Sequence, residues 1–383
     1  MHSRRSKSSS GLNFFSYLFI CLVITGILIY WCVNNGSLFA MTNPISSLTL
    51  NGSGKISADE TEPKSQIQHK VILDGFVDTG TAKFSWQHHR GMLRGVILLA
   101  HGCDVPVSIW WMPSQTKYCE SICKGLPAEI SLAETFVKSG FAIVSIKPSF
   151  SKCWHTNDKV HIAEALKMVY RRLNTTTLVT PLFAFGLTNG GVYLSNNIRS
   201  ITETYGLKFS GLALMNTGIW HKSYNKHNFP PVLFLCMRRN ADLCLHNERT
   251  IHLLESKGVR SAQIVVDPMP LHPHVFAQQY INCNSNNCIS HNESSLLYRV
   301  LERQKFLWPN NSLLLKDPNV DQFTQTFRDI AEKEVPSAIP IKDNITSKDS
   351  SVYQLLRIAW GFKETSFEVG EGIGGWFLNT SHA

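Results

Sequence analysis

The sequence predicts an α/β fold, with a mostly parallel β-sheet covered by helices on both faces. Two observations carry this prediction. Apolar runs without polar alternation, typical of strands buried on both faces, alternate with segments whose apolar residues fall on one helical face. One such run ends in a tight, glycine-containing turn and continues directly into a helix-forming segment, over residues 181–193. Strands that alternate with helices favour right-handed crossovers, and these make neighbouring strands parallel.

Each strand is predicted from a short apolar run. In chain order the predicted strands are 71–73, 82–86, 95–100, 141–146, 182–185, 208–215, 231–237 and 263–266. The run at 95–100, Gly-Val-Ile-Leu-Leu-Ala, is the clearest, because a continuous apolar run is expected of a strand that is covered on both faces.

The helices are predicted between these strands and near the end of the chain. They are 127–138, 158–173, 246–257 and 350–362. In the second and the last of them, apolar residues recur every three or four positions, which places those residues on one helical face. The glycine-rich segment 370–375 is predicted to be a loop.

The composition indicates a globular protein. The chain of 383 residues has room for one large domain or two small ones, and it is 43% hydrophobic and 17% charged. The net charge of +9 comes from cations spread along the chain, without a block of Lys and Arg interleaved with aromatic residues, so nucleic-acid binding is not expected. No P-loop, dinucleotide fingerprint or metal motif is present, so no cofactor is expected.

Residues 14–33 contain no charged side chain and are predicted to anchor the protein in a membrane. A helix needs about 20 apolar residues to cross a bilayer, whereas the core of a signal peptide usually has about 7–15. The stretch is apolar on every face, unlike a core helix, and residues 34–37 form a poor cleavage site. We therefore expect an uncleaved signal anchor with a cytoplasmic N-terminus, because basic residues precede it, namely Arg4, Arg5 and Lys7.

Sequons and cysteines agree with a single-pass type II protein whose main part faces the secretory-pathway lumen or the outside. The predicted glycosylation sites are Asn35, Asn51, Asn174, Asn292, Asn310, Asn344 and Asn379. Outside the anchor the cysteines form an even set, which suits disulfide bonds in an oxidising compartment. They are Cys103, Cys119, Cys123, Cys153, Cys236, Cys244, Cys283 and Cys288. A zinc site at Cys119 and Cys123 is less expected, because the chain lacks a second tight Cys/His pair at the spacing of a zinc finger.

These features divide the chain into five parts. They are a cytoplasmic tail at 1–13, the transmembrane anchor at 14–33, a polar stalk at 34–69, the α/β core at 70–275 and a C-terminal extension packing on the core at 276–383.

The turn after the 182–185 strand has the spacing of a nucleophile elbow. Gly186-x-Thr188-x-Gly190 matches the pattern G-x-S-x-G, with threonine in place of serine. Glycines suit the two flanking positions, because side chains there would collide with the strand and the helix. An ordinary strand-to-helix turn is the alternative interpretation, since the pattern also recurs by chance.

In its order of elements the chain resembles the α/β-hydrolase fold. A His101-Gly102 turn follows an earlier buried strand, the elbow follows a later one, and candidates for an acid and a histidine follow the last two strands in the order that this fold uses. Several segments resemble a little-characterised group of plant and algal α/β-hydrolase-like proteins, over about residues 95–275. They are His101-Gly102-Cys103, Trp110-Trp111, the Cys119-x-x-x-Cys123 segment up to Glu129, the strand that begins at Gly140, and Cys153-Trp154.

The resemblance implies roles for named residues. Thr188 takes the place of the nucleophile, with the backbone N–H groups of Asn189 and Cys103 as the expected oxyanion hole. His272 is the first candidate for the base and His274 the second, with a surface histidine pair as the alternative. Asp242 is the acid candidate or a plain loop residue, because the group's aspartate falls near Asn240. His101 is expected to hold the oxyanion loop, and a free Cys103 is a less expected nucleophile.

Two functions therefore stay open from the sequence. The chain is a hydrolase of an ester or related acyl substrate through Thr188, or it is a catalytically inactive binding or scaffold protein that kept the fold. Its partner is accordingly a small-molecule substrate or a protein ligand. Thr188 itself is the source of the ambiguity, because a β-branched residue at an elbow is strained by about 1–3 kcal/mol and its methyl group crowds an acyl carbon.

Overall fold

The computed structural model describes residues 74–80, 82–103, 105–111, 125–149, 153–219, 229–277, 289–335, 350–363, 365–366 and 368–381. The predicted tail, anchor and stalk and the first predicted strand, 71–73, lie outside these ranges. Among the helices that can be described, none is long and apolar enough to cross a membrane.

The described strands form one sheet, and continuous apolar runs produce its centre. The strands are β1 (Gly75–Asp78), β2 (Lys83–Gln87), β3 (Gly95–Ala100), β4 (Phe141–Ile146), β5 (Leu182–Leu187), β6 (Phe209–Met215), β7 (Val232–Met237) and β8 (Ser261–Val266). Their order in the sheet is β1-β2-β4-β3-β5-β6-β7-β8. Only the pairs β1–β2 and β2–β4 are antiparallel within this sheet. The predicted α/β class with a mostly parallel sheet is therefore confirmed.

The helices connect the strands and continue beyond the sheet. They are α1 (Pro127–Lys138), α2 (Asp158–Arg172), α3 (Thr188–Tyr205), α4 (Ala241–Glu255), α5 (His291–Arg303), α6 (Asp321–Glu334), α7 (Ser351–Trp360) and α8 (Gly370–Ser381). The predicted start of α4 at residue 246 was five residues late. Its first turn hides the helical period, because Ala241 and Asp242 are exposed and Leu245 is half exposed.

The alternation of side chains along each strand builds a core on both faces of the sheet. From β3, Val96, Leu98 and Ala100 pack with α2 and α3 on one face. Ile97 and Leu99 pack with α1 and α8 on the other. Because successive side chains of a strand point to opposite faces, one uninterrupted apolar run supplies both layers.

The glycine-rich segment 370–375, predicted to be a loop, forms the first half of α8, so that prediction was wrong. Glycine lowers intrinsic helix stability, but here it permits close packing. A Cβ added at Gly370 would lie 2.9 Å from Thr135 Cγ2 of α1. Later in the same helix, the ring of Phe377 stacks on Phe183 of β5 at 4.6 Å. Burial against the sheet therefore offsets the low helix propensity of the segment.

A separate apolar cluster lies beyond β8. Residues of α5, α6 and α7 pack there with Leu271, Val275 and Phe276 from the loop that follows β8. Ser294 of α5 fastens this loop, since its hydroxyl donates to Pro273 O at 2.7 Å and accepts from Phe276 N at 3.0 Å. The C-terminal helices thus hold the loop that carries His272 and His274.

Candidate functional site

Thr188 lies at a sharp turn between β5 and α3, with a φ of +44°. That value belongs to the left-handed region, which a β-branched residue rarely enters. Only glycine fits at the two positions that flank it, because a larger side chain would collide with neighbouring backbone. A Cβ at Gly186 would lie 2.5 Å from Gly191 Cα, and one at Gly190 would collide with the backbone carbonyl groups of Ala100 and His101. The start of α3 therefore passes directly over the loop that follows β3.

The hydroxyl of Thr188 faces this loop. A Cβ added at Gly102 would lie 2.8 Å from Thr188 Oγ1, so the absence of a side chain there makes room for the hydroxyl. The loop is held by its own histidine, since His101 Nδ1 lies 2.7 Å from Gly102 O. A carbonyl oxygen only accepts hydrogen bonds, so Nδ1 carries the proton. Burial lowers the pKa of His101 and keeps its ring neutral.

The carbonyl groups of the loop are engaged, and this sets the direction of its N–H groups. Trp154 Nε1 donates a hydrogen bond to His101 O at 2.8 Å, and the His101 ring donates one to Gly102 O. In a planar trans peptide the N–H points opposite to the C=O, so the N–H of Cys103 points away from the buried His101 ring. Among the residues that can be described, none accepts a hydrogen bond from the N–H of Cys103 or of Asn189. Both remain available to an oxyanion.

A disulfide bond closes the loop on one side. Cys103 is joined to Cys153, with their Cα atoms 4.5 Å apart, so Cys103 offers no thiol nucleophile. The side chain of Asn189 reaches over this bond, and its Nδ2 lies 2.9 Å from Cys103 Sγ. A second disulfide joins Cys236 to Cys244. The remaining predicted cysteines, Cys119, Cys123, Cys283 and Cys288, lie outside the described residues.

A buried carboxylate supports the segment that carries Cys153. Asp158, at the start of α2, is fully buried and accepts hydrogen bonds from the N–H groups of Ser149 and His155, each at 2.7 Å. Tyr193 of α3 stacks on Trp154 with ring centroids 5.0 Å apart. Burial, and secondarily the charge of Asp158, raise the pKa of Tyr193, so it stays a neutral phenol. Neither Asp158 nor Tyr193 was predicted from the sequence to have a role, since the sequence shows only an acidic first residue in α2.

The candidate acid and bases follow β7 and β8, as the chain order predicts. Asp242 is exposed in the first turn of α4, after Asn240 at the N-cap. His272 is exposed on the loop after β8, and its Nδ1 accepts a hydrogen bond from the N–H of His274 at 3.3 Å. Partial burial, and then the neighbouring His274, lower the pKa of His272. The ring of His274 lies 5.1 Å from that of His291.

The structure thus brings the predicted nucleophile together with the residues that were predicted to form the oxyanion hole. Thr188, Asn189, Gly102 and Cys103 form a continuous group at the elbow. Within the described ranges, no hydrogen bond joins Thr188 to His272 or His274. Asp242 likewise makes no ion pair or hydrogen bond with a described residue. No cluster of three or more potential metal ligands occurs in the part of the chain that can be described.

No protein-family model and no curated protein sequence matches the chain. Among solved structures it is similar to a Bacillus cereus carboxylesterase, with 15% identity over 49% of this chain and 86% of that one, at a TM-score of 0.34. It is also similar to a hormone-sensitive lipase from a metagenome library, with 14% identity over 52% of this chain and 77% of that one, at a TM-score of 0.35. A bacterial heroin esterase shows 11% identity over 48% and 69%, at a TM-score of 0.34. At TM-scores this low, the evidence for the fold is the sheet order and the elbow of the chain itself.

Proposed function

We propose that the protein is a membrane-anchored, lumenal α/β-hydrolase-like acyl hydrolase that acts on a carboxylic ester or a related acyl compound through Thr188. The observation that supports this most is the elbow itself. Thr188 has a positive φ between two glycines, and its hydroxyl faces the loop after β3. The N–H of Cys103 in that loop and the N–H of Asn189 have no protein acceptor among the described residues. A nucleophile beside unpaired donors is the arrangement that acyl transfer needs.

In the proposed reaction Thr188 Oγ1 attacks the acyl carbon, and His272 takes the proton of the hydroxyl. The bond to the alcohol then breaks, and the alcohol leaves with that proton. Water, which gives a proton to His272, releases the acid and restores the hydroxyl of Thr188. The N–H groups of Cys103 and Asn189 hold the oxyanion. The lowered pKa of His272 favours the neutral ring that a base requires near pH 7. His274 is the second candidate for the base. Asp242 would orient the ring once a substrate has tightened the site, because catalytic hydrogen bonds are often long without substrate.

The proposed compartment rests on the predicted anchor at 14–33 and on the sequons. The asparagines of the four sequons inside the described ranges are all exposed, as a glycan requires. They are Asn174, Asn292, Asn310 and Asn379. Two disulfide bonds join cysteines of the described part of the chain, and such bonds are typical of an oxidising compartment. The other predicted sequons, Asn35, Asn51 and Asn344, lie outside the described residues.

A second candidate function is a binding or scaffold protein that kept the fold and lost turnover. The observation in its favour is that Asp242 is exposed and makes no ion pair or hydrogen bond with a described residue, so Asp242 does not orient His272 or His274 in the structure. Threonine at the elbow agrees with this alternative, since the methyl group crowds the approach of an acyl carbon.

Turnover of a small activated ester by Thr188→Ser, Thr188→Ala and the parent separates the two functions. If Thr188 is the nucleophile, serine relieves crowding and is at least as active as the parent, whereas alanine loses most of the rate. An oxyanion-hole donor alone is worth about 10²–10³ in rate, so weak background hydrolysis by alanine is compatible with the proposal.

Thr204→Ser is the matched control, since Thr204 is an exposed threonine near the end of the same helix. It is expected to leave turnover unchanged. Labelling by a fluorophosphonate gives a second measurement, because the probe reacts with an activated hydroxyl and not with an idle one. Equal and feeble turnover of all Thr188 variants, without labelling that is lost on heating, would establish the scaffold function instead.

A further inference from the structure

Three apolar side chains are exposed at the end of the sheet where the parallel strands begin. Met92 is 79% exposed, Leu178 is 96% exposed and Val179 is 79% exposed. Met92 precedes β3, and the other two lie on the connection from α2 to β5. Single exposed apolar residues are normal on a protein surface, but a group of them marks a surface that is covered by something else.

A groove joins these residues into one surface. Residues 92–94 and 177–179, with Leu378 and Ser381 of α8, line a groove of about 820 Å³, here called the amino groove. Its lining also contains Lys208, and among its described residues none is acidic. The amino groove therefore offers apolar contacts together with hydrogen-bond donors.

The predicted glycosylation site Asn174 lies beside the amino groove. The turn 175–180 is closed at its base, where Thr175 Oγ1 lies 2.7 Å from Thr180 Oγ1. Asn174 is exposed and directly precedes this turn, and Leu178 belongs to it. Four Cα–Cα steps separate Asn174 from Leu178, so their Cα atoms lie at most about 15 Å apart. A glycan of several sugar rings spans that distance.

A second predicted glycosylation site borders the same groove from a distant part of the sequence. Asn379 is exposed in the last turn of α8, between Leu378 and Ser381, which both line the groove. The sequons at Asn292 and Asn310 differ in this respect. They lie on α5 and on the loop after it, and among the described lining residues none comes from these segments.

We propose that N-linked glycans on Asn174 and Asn379 cover the amino groove and shield Met92, Leu178 and Val179 from water. Sugar rings suit this surface, because their C–H faces pack on apolar side chains and their hydroxyl groups accept hydrogen bonds from cationic ones. A second protein fits less well, since two bulky glycans at the rim would hinder its approach.

The inference rests on the lumenal compartment of the proposed function, because the glycan donor is a lipid-linked oligosaccharide diphosphate of that compartment. In each transfer the side-chain Nδ2 of asparagine forms a bond to C1 of the first sugar. The bond from C1 to the diphosphate breaks, the lipid diphosphate leaves, and the amide loses one proton. The sequon residue two positions after each asparagine is a hydroxyl residue, Thr176 or Ser381.

Hydroxyl-radical footprinting measures such a cover, because a side chain is oxidised faster when it is more exposed to solvent. The full chain, made in a glycosylating host and placed in phosphatidylcholine nanodiscs, is compared with the double variant Thr176→Ala with Asn379→Gln. The first change removes a sequon without replacing Asn174, whose φ of +49° favours asparagine. Thr176 and Asn379 are exposed, so the variant retains its fold.

Mass spectrometry reads both the glycans and the oxidation of each peptide. Leu178 is 96% exposed without a glycan, so a glycan that covers half of it lowers its oxidation rate by about twofold. In the double variant we therefore expect Met92, Leu178 and Val179 to be oxidised at least about twofold faster than in the parent.

Two controls accompany this comparison. Thr176→Ser keeps the sequon and should react like the parent. Leu245, a half-exposed leucine of α4, should be oxidised at the same rate in every variant.

Equal oxidation of the three apolar side chains in the parent and the double variant overturns the proposal. Absence of a glycan from Asn174 or from Asn379 also overturns it. If Asn310 is then glycosylated, the lumenal compartment stands and only the cover of the amino groove is lost. If none of the sequons carries a glycan, the proposed compartment fails as well. Turnover through Thr188 enters neither result.

Discussion

Thr188 combines a β-branched side chain with a left-handed backbone conformation, which such side chains disfavour. Of the five non-glycine residues with positive φ among those described, Asn174, Asn216, Lys305 and Ser312 are not β-branched, and Thr188 is. Strain of this kind costs about 1–3 kcal/mol and persists only where the surroundings impose it. Here the surroundings are glycines whose missing side chains let α3 approach the loop after β3. The strained backbone of Thr188 is therefore imposed by its surroundings and not by a preference of its own side chain.

His101 gives a prediction on stability at this scale. Burial lowers its pKa in the folded state, whereas the unfolded ring keeps a pKa of about 6.5. As pH falls below about 6.5, the His101 ring binds a proton in the unfolded state but not in the folded state. The free energy of unfolding therefore falls. The slope from this group reaches at most about 1.4 kcal/mol per pH unit and ends at the lowered pKa.

Two variants isolate this contribution in urea unfolding between pH 5 and 8. His101→Asn is expected to flatten the pH dependence, because its amide does not titrate but can donate to Gly102 O. His101→Phe also removes the titration, but it leaves that carbonyl unpaired, which is expected to cost about 1–3 kcal/mol at pH 7.5. A His101→Asn variant with the same slope as the parent would contradict the assignment.

The sequence predicted part of the candidate site, for a physical reason. Strand ends at the carboxyl edge of a parallel sheet place their following residues close together, so Gly102, Cys103, Thr188 and Asn189 could be grouped from chain order alone. The distance between the side chains of Thr188 and His272 could not be predicted from chain order. It depends on the course of a loop held by Ser294 of α5, and that contact joins distant parts of the sequence.

Among the elements, the strands were predicted best and α8 worst. β3 and β4 have the predicted bounds, because burial on both faces leaves an unbroken apolar run. In α8 the local sequence favours a loop, although the segment is helical in the structure. Its glycines lower helix propensity, and the packing that compensates for them involves α1 and β5, far away in sequence. Tertiary packing therefore decided the structure of this segment.

Two glycines of α8 test that explanation. Gly370→Ala is expected to lower the free energy of unfolding by about 1–3 kcal/mol, because the new Cβ would meet Thr135 at 2.9 Å. Gly375→Ala is the matched control. Nothing lies within 4 Å of a Cβ at that position, so alanine should raise stability by about 0.5–1 kcal/mol through helix propensity. Equal effects of the two changes in urea titrations would show that packing does not select the glycines.

For the molecule as a whole, the two ends of the sheet differ in chemistry. The carboxyl ends of β3 and β5 carry the elbow, the disulfide between Cys103 and Cys153, and two N–H groups that have no acceptor among the described residues. The end where the parallel strands begin carries the exposed side chains of Met92, Leu178 and Val179 together with the cations Arg94 and Lys208. The elbow and these exposed apolar side chains therefore lie at opposite ends of the parallel strands.

The predicted topology is the last expectation to test, and it follows from the order of charges and apolar residues. Arg4, Arg5 and Lys7 precede the uncharged residues 14–33, so the N-terminus should stay in the cytoplasm and every sequon should enter the lumen. In sealed microsomes, endoglycosidase treatment after lysis should increase gel mobility, and external protease should remove only the short tail at 1–13. Protease added with detergent is the control, because it should then reach the whole chain. An unglycosylated protein that is degraded in sealed microsomes would refute the orientation, since residues 34–383 would then face the cytoplasm.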